Sequence, residues 1–146
     1  MAEVRSFRSE PPVGESATLT VDAFVAEGGG TAVRVEVGDD ARALLPLLAG
    51  LALVEVDFPA FTDGRGYSSA RVLREGGYTG ELRAVGDVLV DQLAFMRRCG
   101  FDSFAPDAPL VASEVDAALA RFPHVYQPAA DERVPIWTLR HGAAGA

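Results

Sequence analysis

The chain has 146 residues, of which 49% are hydrophobic and 23% are charged, and its formal net charge is −8. This size and composition fit one globular domain and exclude a disordered chain and a membrane-spanning one. The acidic surface disfavours a nucleic-acid binder because it repels phosphate groups. A single cysteine excludes an internal disulfide and a cysteine-rich zinc or iron–sulfur site, and the lack of lysine excludes Schiff-base chemistry and a Walker A loop.

Residues 1–30 are expected to form an irregular N-terminal segment. This stretch begins with a polar region, contains Pro11-Pro12 and ends in Gly28-Gly29-Gly30, which we expect to form a loop. It lacks an apolar run long enough for a signal peptide, and no transmembrane stretch follows. We therefore expect a cytoplasmic protein that acts neither at a membrane nor on nucleic acid.

Residues 31–127 are predicted to form an α/β domain. Strict apolar–polar alternation at residues 33–37 is typical of a strand, and the nearly continuous apolar run at 51–56 is typical of a strand covered on both faces. The predicted strands are residues 33–37, 51–56, 81–85 and 103–104, and the predicted helices are residues 41–48, 68–75, 88–98 and 113–121. These βα units predict a mostly parallel sheet, either open or in a half-barrel arrangement, because four units are too few for a closed eight-stranded barrel.

The loop before the second predicted helix is the first candidate site, because ligands of parallel sheets bind beyond the carboxyl ends of the strands. Gly64 and Gly66 stand immediately before the predicted start of the helix, where free N–H groups and the helix dipole favour an anion. Arg65 between them can add a bidentate contact. Gly64, Arg65, Gly66 and Ser68 are therefore candidate anion ligands. The alternative is an ordinary tight turn, in which the glycines allow positive φ and Asp63 is a cap.

A second polar group lies at the next strand–helix boundary. Arg83 falls within a predicted buried strand, so its guanidinium needs a carboxylate or a bound anion, which makes Arg83 a further candidate ligand. Asp87 is expected to be an N-cap or the partner of Arg83. Gln92 falls within an apolar helix stripe, and the structural interpretation is that Asp87 and Gln92 form a polar network between helix and strand. We expect Arg65 and Arg83 to lie near one another at one sheet edge, together with Asp63 and Asp87.

No metal or cofactor site is expected. Cys99 precedes a glycine at a helix end, an arrangement typical of a small buried side chain. His124 and His141 have no His, Cys or Glu at ligand spacing. The glycine spacing around Arg65 does not fit the dinucleotide fingerprint, so neither a nicotinamide nor a flavin is expected. Residues 128–146 are expected to form a tail that docks as a flap through three apolar side chains, Ile136, Trp137 and Leu139.

Four stretches of the sequence together resemble one bacterial family. They are residues 58–68, 70–75, 80–92 and 98–102, and the run Asp-Gly-Arg-Gly-Tyr-Ser at residues 63–68 is the most distinctive. The family is linked to sulfite reduction: its members are described as oxidoreductases of that process, and their genes commonly lie beside those for sulfite reductase and assimilatory sulfate reduction. The resemblance spans about residues 33–127. It implies membership of that pathway.

The residues argue against this chain carrying out sulfite reduction itself. One cysteine cannot hold the iron–sulfur cluster of a sulfite reductase, and the cysteine motif of a sulfonucleotide reductase is absent. We therefore expect an accessory protein that binds a small anion or anionic metabolite and has sulfite reductase or other sulfate-assimilation enzymes as partners. Two alternatives stay open. One is a small enzyme of the same pathway, with Asp63 or Asp87 as acid or base and Tyr67 as helper, and the other is a docking subunit for sulfite reductase without a site of its own.

Overall fold

The computed structural model describes residues 3–7, 11–13 and 17–121. The predictions for the tail at residues 128–146, and for His124 and His141, concern residues outside these ranges. The strands are β1 (Arg5–Ser6), β2 (Leu19–Thr20), β3 (Ala32–Val35), β4 (Leu53–Phe58), β5 (Glu81–Gly86) and β6 (Ser103–Pro106). The helices are α1 (Val21–Glu27), α2 (Arg65–Glu75), α3 (Leu93–Arg98) and α4 (Ala112–Ala120), with 3₁₀ segments at Ala41–Gly50 and Val90–Gln92. Among these, no helix is long and apolar enough to cross a membrane.

The strands form one open sheet in the order β1-β6-β5-β4-β3-β2. Strands β2 to β6 run parallel to their neighbours, whereas β1 is antiparallel to β6. This arrangement confirms the predicted α/β class with a mostly parallel open sheet. From β2 to β6, strands that follow one another in the chain are also neighbours in the sheet. Right-handed crossovers therefore place the intervening helices on the same face of the sheet.

The hydrophobic core lies between the sheet and these helices. Val54, Val56 and Phe58 of β4 are almost fully buried and pack in one cluster with Ala70 and Leu73 of α2. Side chains alternate between the two faces along a strand, so the residues between these core positions face the other way. On that second face a row of polar side chains lies at matching register: Arg34 of β3, Glu55 of β4, Arg83 of β5 and Ser103 of β6.

Helix α2 and strand β4 approach one another closely at Gly66. A Cβ at this position would lie 2.6 Å from the ring of Phe58, so glycine lets the first turn of the helix pack on the end of the strand. The helix begins at Arg65, earlier than the predicted start at residue 68, and Gly64 is its N-cap residue. The Asp63 carboxylate, one residue further upstream, accepts the Arg65 N–H. The candidate ligands Arg65, Gly66 and Ser68 therefore lie in the first turn of α2.

Three predictions of local structure are corrected. Residues 1–30 are not wholly irregular, because β1, β2 and α1 lie within them; strands of two residues are too short to give a periodic signal. The helix predicted at 41–48 is a 3₁₀ helix, Ala41–Gly50, in which Pro46 has no N–H to donate. The helix predicted at 88–98 begins later, as the 3₁₀ turn Val90–Gln92 that leads into α3.

Candidate anion-binding cleft

A cleft of about 230 Å³ opens at the carboxyl ends of β3 and β4. One wall is the loop that follows β3 together with the first residues of the 3₁₀ helix Ala41–Gly50, and the other wall is the first turn of α2. Three of the predicted ligands line this cleft: Arg65, Gly66 and Ser68. The cleft therefore lies where ligands of parallel sheets bind, beyond the carboxyl ends of the strands.

Two helix N-termini meet at this cleft, and both begin with the same local arrangement. Asp40 Oδ1 accepts the Arg42 N–H at 3.0 Å at the start of the 3₁₀ helix, and Asp63 Oδ1 accepts the Arg65 N–H at 3.0 Å at the start of α2. Each aspartate also forms an ion pair with the guanidinium of that arginine, at 3.8 Å for Asp40–Arg42 and 2.6 Å for Asp63–Arg65. Each helix end thus combines a positive dipole end with an arginine in its first turn.

The ion pair with Arg65 determines the protonation state of Asp63. The guanidinium contacts both carboxylate oxygens, and this hydrogen bonding is the main cause that lowers the pKa of Asp63 to about 2. Asp63 is therefore ionised and a weak base at neutral pH. The Arg65 side chain is 66% exposed, so its guanidinium can turn toward a ligand in the cleft.

Tyr67, in the first turn of α2, packs against two tilted phenylalanine rings. Its ring centroid lies 5.1 Å from that of Phe58 and 4.9 Å from that of Phe95. Burial, with a smaller effect of the charge on Cys99, raises the pKa of Tyr67 to about 12. The phenol is therefore protonated near neutral pH. Neither Asp63 nor Tyr67 is tuned for proton transfer, which gives the acid–base alternative no support from these two candidates.

Asp87 and Gln92 hold the loop that precedes α2. The N–H of Phe61 donates to Asp87 Oδ2 at 2.9 Å, and Gln92 Nε2 donates to the Phe61 carbonyl at 2.7 Å. Gln92 Oε1 also accepts the Leu89 N–H at 3.3 Å. These contacts fix the loop after β4 to the loop after β5. The two side chains therefore position the segment that leads into α2.

Arg83 does not belong to the cleft, and the prediction that it lies near Arg65 is wrong. Leu82 and Ala84 face the helices in the core, so Arg83 between them faces the opposite side of the sheet. Arg83 is buried, as predicted, with its side chain 4% exposed. Asp87 is not its partner, because Asp87 bonds the loop after β4. Arg83 contacts four groups on the second face: Glu81 at 2.5 Å, Val13 O at 2.8 Å, Ser103 Oγ at 3.3 Å and Glu55 at 4.0 Å.

The residues on the opposite wall of the cleft were not predicted from the sequence. Glu36, Asp39 and Arg42 line it. The signal was present, because Asp40-Ala41-Arg42 repeats the spacing of Asp63-Gly64-Arg65 at the preceding strand–helix boundary. Two Asp-X-Arg runs that each follow a strand predict two similar helix starts at one sheet edge.

The fold and the cleft define an α/β protein with a mostly parallel open sheet and a small cleft, lined by several charged residues, at the carboxyl ends of β3 and β4. Residues 32–137 match the family model described as bacterial protein of unknown function (DUF934). Because this match covers well over half of the chain, the protein belongs to that family. Searches of curated proteins and of solved structures gave no match.

Proposed function

We propose that this protein binds a small anion or anionic metabolite in the cleft, as an accessory protein of assimilatory sulfate and sulfite reduction. One observation supports binding: two helix N-termini, each with an arginine in its first turn, line the same cleft. The link to sulfur assimilation rests on the resemblance of residues 58–68 and the other three stretches to the family associated with sulfite reduction. Sulfite reductase and other enzymes of sulfate assimilation are the proposed partners.

The positive charges that would bind the anion are held in place by the two helix starts before a ligand arrives. A helix N-terminus carries a partial positive charge of about half a proton, and an anion near it is stabilised by that dipole and by free N–H groups. Arg42 and Arg65 add two full charges that can form charge-assisted hydrogen bonds. Both guanidinia are paired with aspartates in the free protein, so an anion must compete with Asp40 and Asp63. We therefore expect modest affinity.

A second candidate function is docking on a partner enzyme, and a specific surface favours it. Three large apolar side chains are exposed on the loops after β4 and β5 and on α3, namely Phe61 (49%), Leu89 (37%) and Phe95 (58%). Gln92 hydrogen-bonds the backbone of Phe61 and of Leu89, and Phe95 follows Gln92 by about one helical turn. Exposed aromatic side chains that are held in place are typical of residues that dominate protein interfaces.

Thermal unfolding with added anions tests the binding proposal. Sulfate is expected to raise the melting temperature of the wild type more than chloride does at equal ionic strength, both because sulfate stabilises folded proteins in general and because a ligand that binds the folded state stabilises it. Arg65→Ala and Arg42→Ala should reduce the difference between the two salts. Arg71→Ala is the matched control, since Arg71 is an exposed arginine of the same helix paired with Glu75. Equal effects of both salts on the wild type would contradict the proposal.

Growth on defined sulfur sources tests the pathway. A deletion strain is expected to grow poorly on sulfate and sulfite but normally on sulfide, which would place the protein at sulfite reduction. An Arg65→Ala strain should share this defect, and an Arg71→Ala strain should not. Normal growth of the deletion strain on all three sources would contradict the role in sulfur assimilation while leaving anion binding to be judged by the melting experiment.

A further inference from the structure

Phe95 is the outermost member of a row of aromatic rings that leads into the core. The ring centroids of Phe101 and Phe58 lie 5.9 Å apart, those of Phe58 and Tyr67 5.1 Å, and those of Tyr67 and Phe95 4.9 Å. Phe58 and Phe101 are buried, whereas Phe95 is 58% exposed. One side of the Phe95 ring therefore packs on Tyr67 while the rest faces solvent. A partner would meet an aromatic side chain whose position is already restricted, which lowers the entropy cost of binding.

The side chain of Gln92 holds Phe61 and Leu89 beside this ring. Gln92 Nε2 donates to the Phe61 carbonyl at 2.7 Å, and Gln92 Oε1 accepts the Leu89 N–H at 3.3 Å. We call Phe61, Leu89 and Phe95 the apolar patch. Single exposed apolar side chains are common on protein surfaces, whereas a group of them that the fold holds in place is typical of an interaction surface.

Negative charge accompanies the apolar patch. The two segments that carry it, residues 58–64 and 87–96, contain three aspartates and no basic residue. Asp63 is paired with Arg65. Asp87 accepts the Phe61 N–H, and Asp91 is exposed in the 3₁₀ turn between Leu89 and Gln92. Within the described ranges neither Asp87 nor Asp91 forms an ion pair. Their charge is therefore available to a partner.

We infer that the apolar patch docks on a protein whose own apolar pocket is bordered by arginine or lysine side chains, with Phe95 as the side chain that enters the pocket. This inference rests on the second candidate function, docking on a partner enzyme, and specifies the surface of that partner. Like charges across an interface are unfavourable, so Asp87 and Asp91 disfavour a second copy of this chain, whose net charge is also −8. The same charges disfavour a membrane with anionic lipids.

A photo-crosslinking residue in the patch identifies the partner in the cell. Benzoylphenylalanine replaces Phe95 or, as the control, Val25, an apolar side chain of α1 that is 48% exposed near the other edge of the sheet. In cells of the source bacterium grown on sulfate, irradiation should link one protein to position 95 and not to position 25. Mass spectrometry of the linked peptide should place it beside arginine or lysine residues. No adduct specific to position 95, or an adduct with a second copy of this chain, would overturn the inference.

Titration of the purified partner then separates the aromatic contact from the charges. Phe95→Ala should weaken binding at least about tenfold, as truncation of a dominant interface residue does, while Val25→Ala should leave it unchanged. Asp91→Lys should weaken binding several-fold and added salt should do the same, because charges at the border of an interface mainly steer association. Glu75→Lys is the control for reversal of an exposed carboxylate elsewhere. Affinity that ignores both Asp91→Lys and salt would contradict the basic border.

The outcomes for docking and for anion binding are independent. Phe95→Ala should keep the difference between sulfate and chloride in the melting experiment, and Arg65→Ala should keep the affinity for the partner, since Arg65 lies outside the apolar patch. A loss of partner binding in Arg65→Ala as large as that in Phe95→Ala would contradict the assignment of docking to the patch. A partner that meets both criteria but has no role in sulfur assimilation would support the docking inference and count against the proposed pathway.

Discussion

Asp40 and Asp63 lie at the starts of helices in two consecutive strand–helix units, and each accepts the backbone N–H of the arginine two residues later at 3.0 Å. In both units the same aspartate also pairs with the guanidinium of that arginine. The aspartates thus precede the first helical residues and pair with arginines that line the cleft. They also compete with any anion for those arginines, so their removal should change ligand binding in a predictable direction.

Asp63→Asn is expected to strengthen sulfate binding. The amide keeps an oxygen that can accept the Arg65 N–H, but it removes the charge that competes for the guanidinium. A gain of several-fold in affinity, measured by calorimetric titration at fixed ionic strength, is the expected result. Asp91→Asn, which removes an exposed carboxylate elsewhere, should leave the affinity nearly unchanged. Weaker binding by Asp63→Asn would show that the carboxylate itself orients the site.

The acid stability of the protein should depend on Asp63. The pKa of this carboxyl is lowered to about 2 from an ordinary value of 3.8. A lowered folded-state pKa means that the contribution to stability is complete above about pH 4 and is lost as the pH falls through about 2. Between these pH values the melting temperature of the wild type should fall more steeply than that of Asp63→Asn. Parallel curves for the two proteins would rule out this linkage.

Asp57 should behave in the opposite way. Burial is the main cause that raises the pKa of Asp57, and nearby carboxylates add to this rise while Arg34 opposes it, so the ionised form is disfavoured in the folded protein. The folded state therefore binds this proton more tightly than the unfolded chain does, and the resulting penalty is present at neutral pH. Asp57→Asn is expected to raise the melting temperature at pH 7, and the gain should shrink as the pH falls toward 4. A loss of stability at pH 7 would contradict the expected sign.

Gly66 and Gly64 form a matched pair for testing the packing of α2 on β4. A Cβ at Gly66 would lie 2.6 Å from the Phe58 ring, whereas a Cβ at Gly64 would meet nothing within 4 Å. Gly66→Ala should cost about 1–3 kcal/mol of unfolding free energy, as overpacked sites do, and Gly64→Ala should change it by less than about 0.5 kcal/mol. Chemical denaturation of both variants measures this difference. Equal effects would mean that the ring of Phe58 moves aside at little cost.

The sequence was sufficient for the parallel strands because apolar alternation and helix spacing are local signals. It was not sufficient for the partners of Arg83. Glu81 could have been found, since residues two apart share a face of a strand, but Glu55 lies opposite Arg83 only through the register of β4 and β5. The same alternation predicts which face of the sheet Arg83 occupies, because its apolar neighbours Leu82 and Ala84 mark the opposite face as the core. The burial of Arg83 could therefore be predicted from the sequence. Whether its guanidinium pairs with a bound anion or with a carboxylate of the protein could not.

Substitutions of Arg83 test whether this arginine stabilises the fold or binds the ligand. Its guanidinium is buried and donates to Glu81, Ser103 and the Val13 carbonyl. Arg83→Ala removes the guanidinium partner of the largely buried Glu81 carboxylate, and the expected cost is on the order of 3–5 kcal/mol.

Arg83→Met with Glu81→Gln removes both charges and keeps most of the volume, so the double variant should recover much of the stability lost by Arg83→Ala. The measurement is chemical denaturation, followed by sulfate titration of the double variant. Since Arg83 faces away from the cleft, sulfate affinity should equal that of the wild type. A folded double variant that no longer binds sulfate would return Arg83 to the site and overturn the assignment of the cleft to Arg42 and Arg65.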